Sequence, residues 1–202
     1  MISFVTLGPI GSNHQYVLQR FLNSQGLAAG VVVEYVDDFA EGAARVIDGR
    51  ADFMLQCAVH PATHATVARF KDGLYVVDTF ISSSQDLAVL RDRAVDEAHS
   101  LALMAPTLGY VEPGRWGEIV LMPTVAAVAE GMRAGRIERG LTYASLAREL
   151  PGRFEVEAFV GSVDDAWIIY GRERISGGGI VAWPAGPVTT LYRRRLEAWG
   201  RA

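Results

Sequence analysis

The sequence predicts an α/β protein built as two lobes, joined by two extended crossovers and separated by a ligand cleft. Three observations carry this expectation. β-branched runs alternate with amphipathic helical segments, the order that produces parallel sheets. That order breaks at the polar run Ser82-Ser83-Ser84-Gln85, restarts near Arg91, and is followed by a late extended stretch that can carry the chain back into the first block. The first strand also enters the first helix through Gly8-Pro9-Ile10-Gly11-Ser12-Asn13, a glycine-rich turn of the kind that lets helix amides face an anion. The lobes are expected at 1–84 plus 165–202 and at 85–164.

Residues 2–7 form an apolar strand. Residues 13–24 follow as a helix, with Tyr16, Val17, Phe21 and Leu22 at the spacing of a buried face and Ser12 or Asn13 as cap. Residues 31–36 are the second strand. Asp37 or Asp38 caps the next helix, which buries Phe39, Ala43, Val46 and Ile47 and ends at Gly49. Residues 52–57 are the third strand, and Pro61 suits the first turn of a helix running to about Phe70. Residues 74–83 and 86–90 are extended, with the serine run between them as a crossover. In the second block, 101–105 and 118–121 are strands. Pro123 and Thr124 open a helix through Ala134, and Leu141-Thr142 precede another around 145–150. Residues 156–160 and 166–170 are extended, and 187–199 close the chain as a helix. Gly177-Gly178-Gly179 lacks the lysine and the following helix of a phosphate loop and reads as a surface turn.

Half of the 202 residues are hydrophobic, enough for a substantial core. The net charge of −4 argues against general nucleic-acid binding, so anion affinity must be local. Arg193-Arg194-Arg195 reads as a solvated helix face. The lone Cys57 has no disulfide or zinc partner and is expected in a buried strand. No apolar run approaches the ~18–20 residues that span a bilayer, and no basic-then-apolar leader opens the sequence, so no membrane association and cytoplasmic residence are expected. Leu191, Leu196 and Trp199 on the last helix are available to a homodimer or to core packing.

Gly8-Pro9-Ile10-Gly11-Ser12-Asn13-His14-Gln15 resembles the Gly-Pro-x-Gly-Thr segment that opens prephenate dehydratases. Pro123-Thr124-Val125-Ala126-Ala127 resembles their second-lobe Ser/Thr-Ala-Ala helix start, and 166–172 resembles their returning strand. The resemblance implies a bilobal fold of the type II periplasmic-binding-protein kind. Asp165-Ala166-Trp167 stands where dehydratases carry Thr-Arg-Phe, so the hydroxyl and the arginine used in dehydration are absent. The tryptophan, the short length and the lack of a C-terminal amino-acid-sensing domain resemble instead the non-aromatising prephenate decarboxylases of the bacilysin (anticapsin) pathway. In those enzymes prephenate loses its ring carboxylate and keeps its hydroxyl, without a cofactor. A dehydratase with a rebuilt acid and a non-catalytic carboxylate-binding protein are the alternatives.

A small carboxylate is thus the expected ligand. Gly11, Ser12 and Asn13 are candidate anchors from the first lobe, and Thr124 is the candidate from the second. Ser83, within the run 82–85, and Thr142, at a strand end, are candidate contacts. Trp167 is expected as an apolar wall or as core. Asp165 repels an anionic ligand when ionised and serves as an acid when protonated. His14 and His60 are the candidate catalytic groups because imidazole titrates near neutrality. His60 and His64 have a four-residue spacing, but Pro61 and the missing third ligand argue against a metal site.

Overall fold

The computed structural model describes residues 1–183 and 186–199, the side chain of Trp199 excepted. Two five-stranded sheets organise the chain. The first contains β1 (Ile2–Leu7), β2 (Val31–Val36), β3 (Phe53–Cys57), β4 (Tyr75–Ser83) and the returning β10 (Asp164–Gly171), in the order β2-β1-β3-β10-β4. The second contains β5 (Leu87–Asp92), β6 (Ser100–Met104), β7 (Glu118–Met122), β8 (Arg139–Tyr143) and β9 (Phe154–Gly161), in the order β7-β6-β8-β5-β9. β1 lies parallel to β2 and β3, and β6 lies parallel to β7 and β8. Each parallel core is joined by a strand running the other way: β10 is antiparallel to β3 and β4, and β5 is antiparallel to β8 and β9. These are the crossover strands, and Ser84 N–H bonds Val163 O at 2.9 Å where the two connections pass side by side.

Alternation along the first sheet divides its core between two faces. Phe4, Leu55 and Ile169 pack with Val17, Leu18 and Leu22 of α1 (Asn13–Ser24). Their neighbours Val5, Met54 and Tyr170 pack with Phe39, Ala43 and Val46 of α2 (Phe39–Ile47). The second sheet packs Leu101, Leu103 and Leu141 against Val128 and Met132 of α4 (Val125–Arg133) and Leu146 of α5 (Ser145–Glu149). Ser12, Asp38 and Thr124 cap α1, α2 and α4, each accepting a bond from the third residue on. Gly49 follows α2 at φ +74°.

Several boundaries differ from the expectation. Tyr16 is exposed and Leu18 completes the buried face, two residues and about half a turn away; Ile47 is likewise exposed. α3 (Thr63–Phe70) begins beyond Pro61, because Thr63 Oγ1 bonds back to Cys57 O at 2.8 Å and holds 58–62 as a turn. Two 3₁₀ segments, Ala105–Tyr110 and Pro113–Arg115, follow β6 without having been anticipated. α6 (Pro187–Trp199) exposes Leu191 and Leu196, so core packing does not explain them, and the Trp199 side chain lies outside the described residues. Cys57 is buried in β3. Among the described residues no helix is long and apolar enough to cross a membrane.

The contact of α4 with β8 depends on Gly140. A Cβ there would lie 2.4 Å from Val128 Cγ1 and 3.0 Å from Met132 Sδ, both in the core. Gly140→Ala is expected to destabilise the protein by about 1–3 kcal/mol, read as a lower urea midpoint at unchanged slope.

Candidate functional site

A cavity of about 160 Å³ opens between the two sheets, lined from one side by the β1–α1 turn, His60 and Trp167, and from the other by Met104, Thr124 and Tyr143. Asn13 sits where these surfaces meet. Its backbone N–H donates to Tyr143 Oη at 3.1 Å, across the cleft. Its side-chain Nδ2 donates to Ser84 Oγ at 2.7 Å, and its Oδ1 accepts from Gln85 N–H at 2.9 Å. Ser84 Oγ in turn donates to Asp165 Oδ2 at 2.6 Å. One asparagine therefore ties α1 to a strand end of the second sheet and to both crossovers.

The two helix N-termini at the cavity are not equivalent. At α1 two of the first three helix amides are engaged within the protein, Asn13 N–H by Tyr143 Oη and Gln15 N–H by Ser12 Oγ, and the preceding turn is closed by Gly11 N–H to Gln15 Oε1 and Ser12 N–H to Pro9 O. At α4, Thr124 Oγ1 accepts from Ala127 N–H at 2.9 Å, and Val125 and Ala126, whose first-turn amides have no intrahelical acceptor, line the cavity. The α4 end, with two free first-turn amides, is the more open of the two to a carboxylate oxygen.

Two imidazoles lie together at the base. His14 is buried, with its ring 5.2 Å from Trp167, 5.4 Å from Phe39 and 5.8 Å from His60. Its Nε2 has no hydrogen-bond partner among the described residues. Burial above all, and then the neighbouring His60, pushes its pKa down to about 3. Burial lowers His60 as well. His60 Nδ1 accepts from Ala62 N–H at 3.1 Å, which leaves the proton of the neutral ring on Nε2. At neutral pH both rings are uncharged polar groups rather than cations.

The remaining electrostatics are one-sided. Among the described lining residues Asp165 is the sole Asp or Glu, and none is Lys or Arg. Cys57 is pushed up to about 11, by burial first, with the Asp165 charge adding to it, so it is an inert thiol rather than a nucleophile. Tyr143 is pushed up to about 12 by burial, opposed by its bond to Asn13, and keeps its phenolic proton. Tyr110, from the 3₁₀ segment, is raised by burial and then by the Asp165 charge.

Of the residues singled out from sequence, Ser12, Asn13, His14, His60, Thr124, Asp165 and Trp167 line this one cavity. Three do not. Gly11, at φ +85°, turns its carbonyl to Gln85 Nε2. Ser83 is held by Arg20, and its neighbour Ser84 faces the cleft instead. Thr142 is fully buried and donates to Val125 O at 3.0 Å, so it anchors the start of α4 to β8. Strand alternation then sends the next residue, Tyr143, into the cleft. Trp167 is both wall and core, its Nε1 donating to Ser82 O at 3.2 Å. His64 is exposed and bonds Pro61 O.

No family model matches the chain, and no curated protein matches it by sequence. Solved structures do match its fold. A prephenate dehydratase from Arthrobacter aurescens in complex with L-Phe superposes with a TM-score of 0.67 at 18% identity, over 91% of this chain and 63% of that one. The quorum-quenching acylase GqqA gives 0.55 at 20% identity, over 92% and 67%. An ABC transporter protein from Parabacteroides distasonis gives 0.52 at 14%, over 98% and 70%. The chain thus spans somewhat under two thirds of the Arthrobacter protein's length. It has the bilobal fold of prephenate dehydratases and periplasmic-binding-protein-like domains, a fold on which enzymes and binding proteins both occur.

His14 supplies a pH test. In the folded protein it takes up a proton only near pH 3, whereas the unfolded chain does so near 6.5. Between these values the unfolded state binds the extra proton, so its contribution to stability is full above about pH 6.5 and is lost as pH falls toward 3. His14→Gln is expected to flatten the fall in unfolding free energy between pH 7 and 4.5 by roughly 1–3 kcal/mol, measured by urea denaturation. Equal slopes in both proteins would contradict the buried neutral imidazole.

Proposed function

We propose that the cleft is the active site of a cofactor-independent carboxy-lyase that decarboxylates prephenate, or a similar cyclic carboxylate, without aromatising it. The observation that carries this reading is a cavity with no Lys or Arg among its described lining residues and with Asp165 on its wall. Loss of carbon dioxide turns a charged group into a neutral one. An apolar site that offers a carboxylate no counter-ion, and sets another carboxylate beside it, therefore favours departure over retention.

In this scheme the side-chain carboxylate of the substrate is held at the α4 amides of Val125 and Ala126 beside Thr124, and the ring carboxylate faces Asp165. As the ring carbon–carboxylate bond breaks, its electron pair shifts through the ring diene and a ring carbon accepts a proton. The Nε2–H of His60 and the O–H groups of Tyr143 and Tyr110 are candidate proton donors at the cavity, and His14 Nε2, when it carries the proton of its neutral ring, is left to donate to a substrate oxygen. Nothing in the scheme protonates the substrate hydroxyl, which is retained. At about 160 Å³ the cavity is below the ~300–1,000 Å³ of most ligand sites. Entry of a ring therefore requires the two lobes, taken as 1–84 with 165–202 and 85–164, to part at the Asn13–Tyr143 contact and close again over the ligand.

A second reading is a non-catalytic carboxylate-binding protein. The uncharged state of both histidines favours it, because neither is a strong acid at neutral pH. Product analysis separates the two. Purified protein incubated with prephenate is expected to yield, above a protein-free control, the product lacking carbon dioxide but keeping the hydroxyl, detected by mass spectrometry. His60→Ala is expected to lower kcat about a hundredfold while ligand binding persists. Saturable prephenate binding with no product above the control would assign the cleft to binding alone.

A further inference from the structure

A second and larger cavity lies away from this cleft and shares no lining residue with it. It measures about 710 Å³ and sits between the outer edge of β4, the end of α3 and the segment 174–183 that follows β10. Tyr75, Val76 and Leu74 form one wall, and Val181 and Trp183 form the other. Trp183 is 60% exposed, an aromatic side chain held against the cavity rather than packed in the core. The segment turns at Ser176, whose carbonyl accepts from Gly179 N–H at 2.7 Å, with Gly177 and Gly178 at positive φ. The triple glycine is thus the exposed surface turn expected from the sequence, and it returns the chain so that 181–183 lie along the sheet edge.

Two polar features of this cavity stand without a hydrogen bond or an ion pair among the described residues. Tyr170 is 1% exposed, yet its hydroxyl has no hydrogen-bond partner among the described residues. A buried hydroxyl left unpaired is unfavourable, and a polar atom of a ligand would satisfy it. Arg174 lies over the Tyr75 ring at 5.0 Å, and none of the ion pairs among the described residues includes it. Lys71 adds a second positive charge, exposed and paired with Asp72. Asp78 is the one acid on the lining, and its Oδ1 accepts from Thr79 N–H.

We propose that this cavity is a second small-molecule site, built for a planar aromatic carboxylate. The ring lies between Tyr75 and Trp183, the carboxylate meets the Arg174 guanidinium, and a polar substituent reaches the Tyr170 hydroxyl. The volume falls within the ~300–1,000 Å³ of ordinary ligand pockets, and the Arg174 guanidinium, in no ion pair among the described residues, favours an anion. The site does not depend on the reaction assigned to the cleft.

Titration of the full chain with 2-naphthoate, followed by calorimetry, tests this. Saturable one-to-one binding is expected, weakened about tenfold or more by Arg174→Gln, by Trp183→Ala, or by replacing the probe with neutral 2-naphthamide. Both altered side chains are solvent-accessible, so folding is not at stake. No saturable binding in the millimolar range would overturn the proposal. So would an unchanged Kd in both variants, which would place the probe in the cleft. A concentration-dependent dimer that excludes the probe would assign the segment 174–183 to a second copy of the chain and overturn it equally.

Discussion

Asn13 is the fastening on which the arrangement of the cleft depends. Its backbone amide is held by Tyr143 from the second sheet, and its side chain holds Ser84 and Gln85 of the first crossover. Through Ser84 the same network reaches Asp165 at the start of the returning strand. Asparagine suits this position because its amide both donates and accepts, so one side chain can satisfy an oxygen acceptor and a backbone donor at once. The charge of Asp165, the phenol of Tyr143 and the end of α1 are consequently placed by a single set of bonds.

This network also changes how the first helix is understood. The glycine-rich turn does produce a helix N-terminus at the cleft, but most of its donors are filled by Gln15, Pro9, Tyr143 and Ser12. The more open N-terminus is that of α4, positioned by the Thr142 hydroxyl under its first carbonyl and by the glycine at 140 that lets the helix lie close to β8. A threonine expected to touch ligand thus acts one step away, by holding the element that does.

The strand and helix order was legible because hydrophobic period and caps agreed at nearly every element: Ser12, Asp38 and Thr124 stand just before helices that begin as expected. The antiparallel crossover strands and the 3₁₀ segments were not, since strand direction and a short turn of Ala105–Tyr110 leave no period to read. At the site, the residues next to turns and caps were found. Tyr143 was missed in favour of Thr142 by a single residue, and one step along a strand reverses the face; of the serine run, Ser84 and Gln85 line the cleft rather than Ser83. The polarity of the cavity was invisible as well, because the lack of a lysine or arginine there is a property of assembled walls.

That lack decides the chemistry we assign. A cleft meant to retain a dianion would be expected to supply a cation, and this one supplies amides, neutral rings and Asp165. The account therefore turns on whether Asp165 opposes the bound carboxylate. The most direct measurement is the steady-state kinetics of Asp165→Asn with prephenate. The account predicts a lower KM together with a kcat reduced by about tenfold or more, since relieving the repulsion strengthens ground-state binding and removes its aid to decarboxylation. A raised KM with kcat unchanged would show that Asp165 helps to hold the substrate, and would contradict the claim.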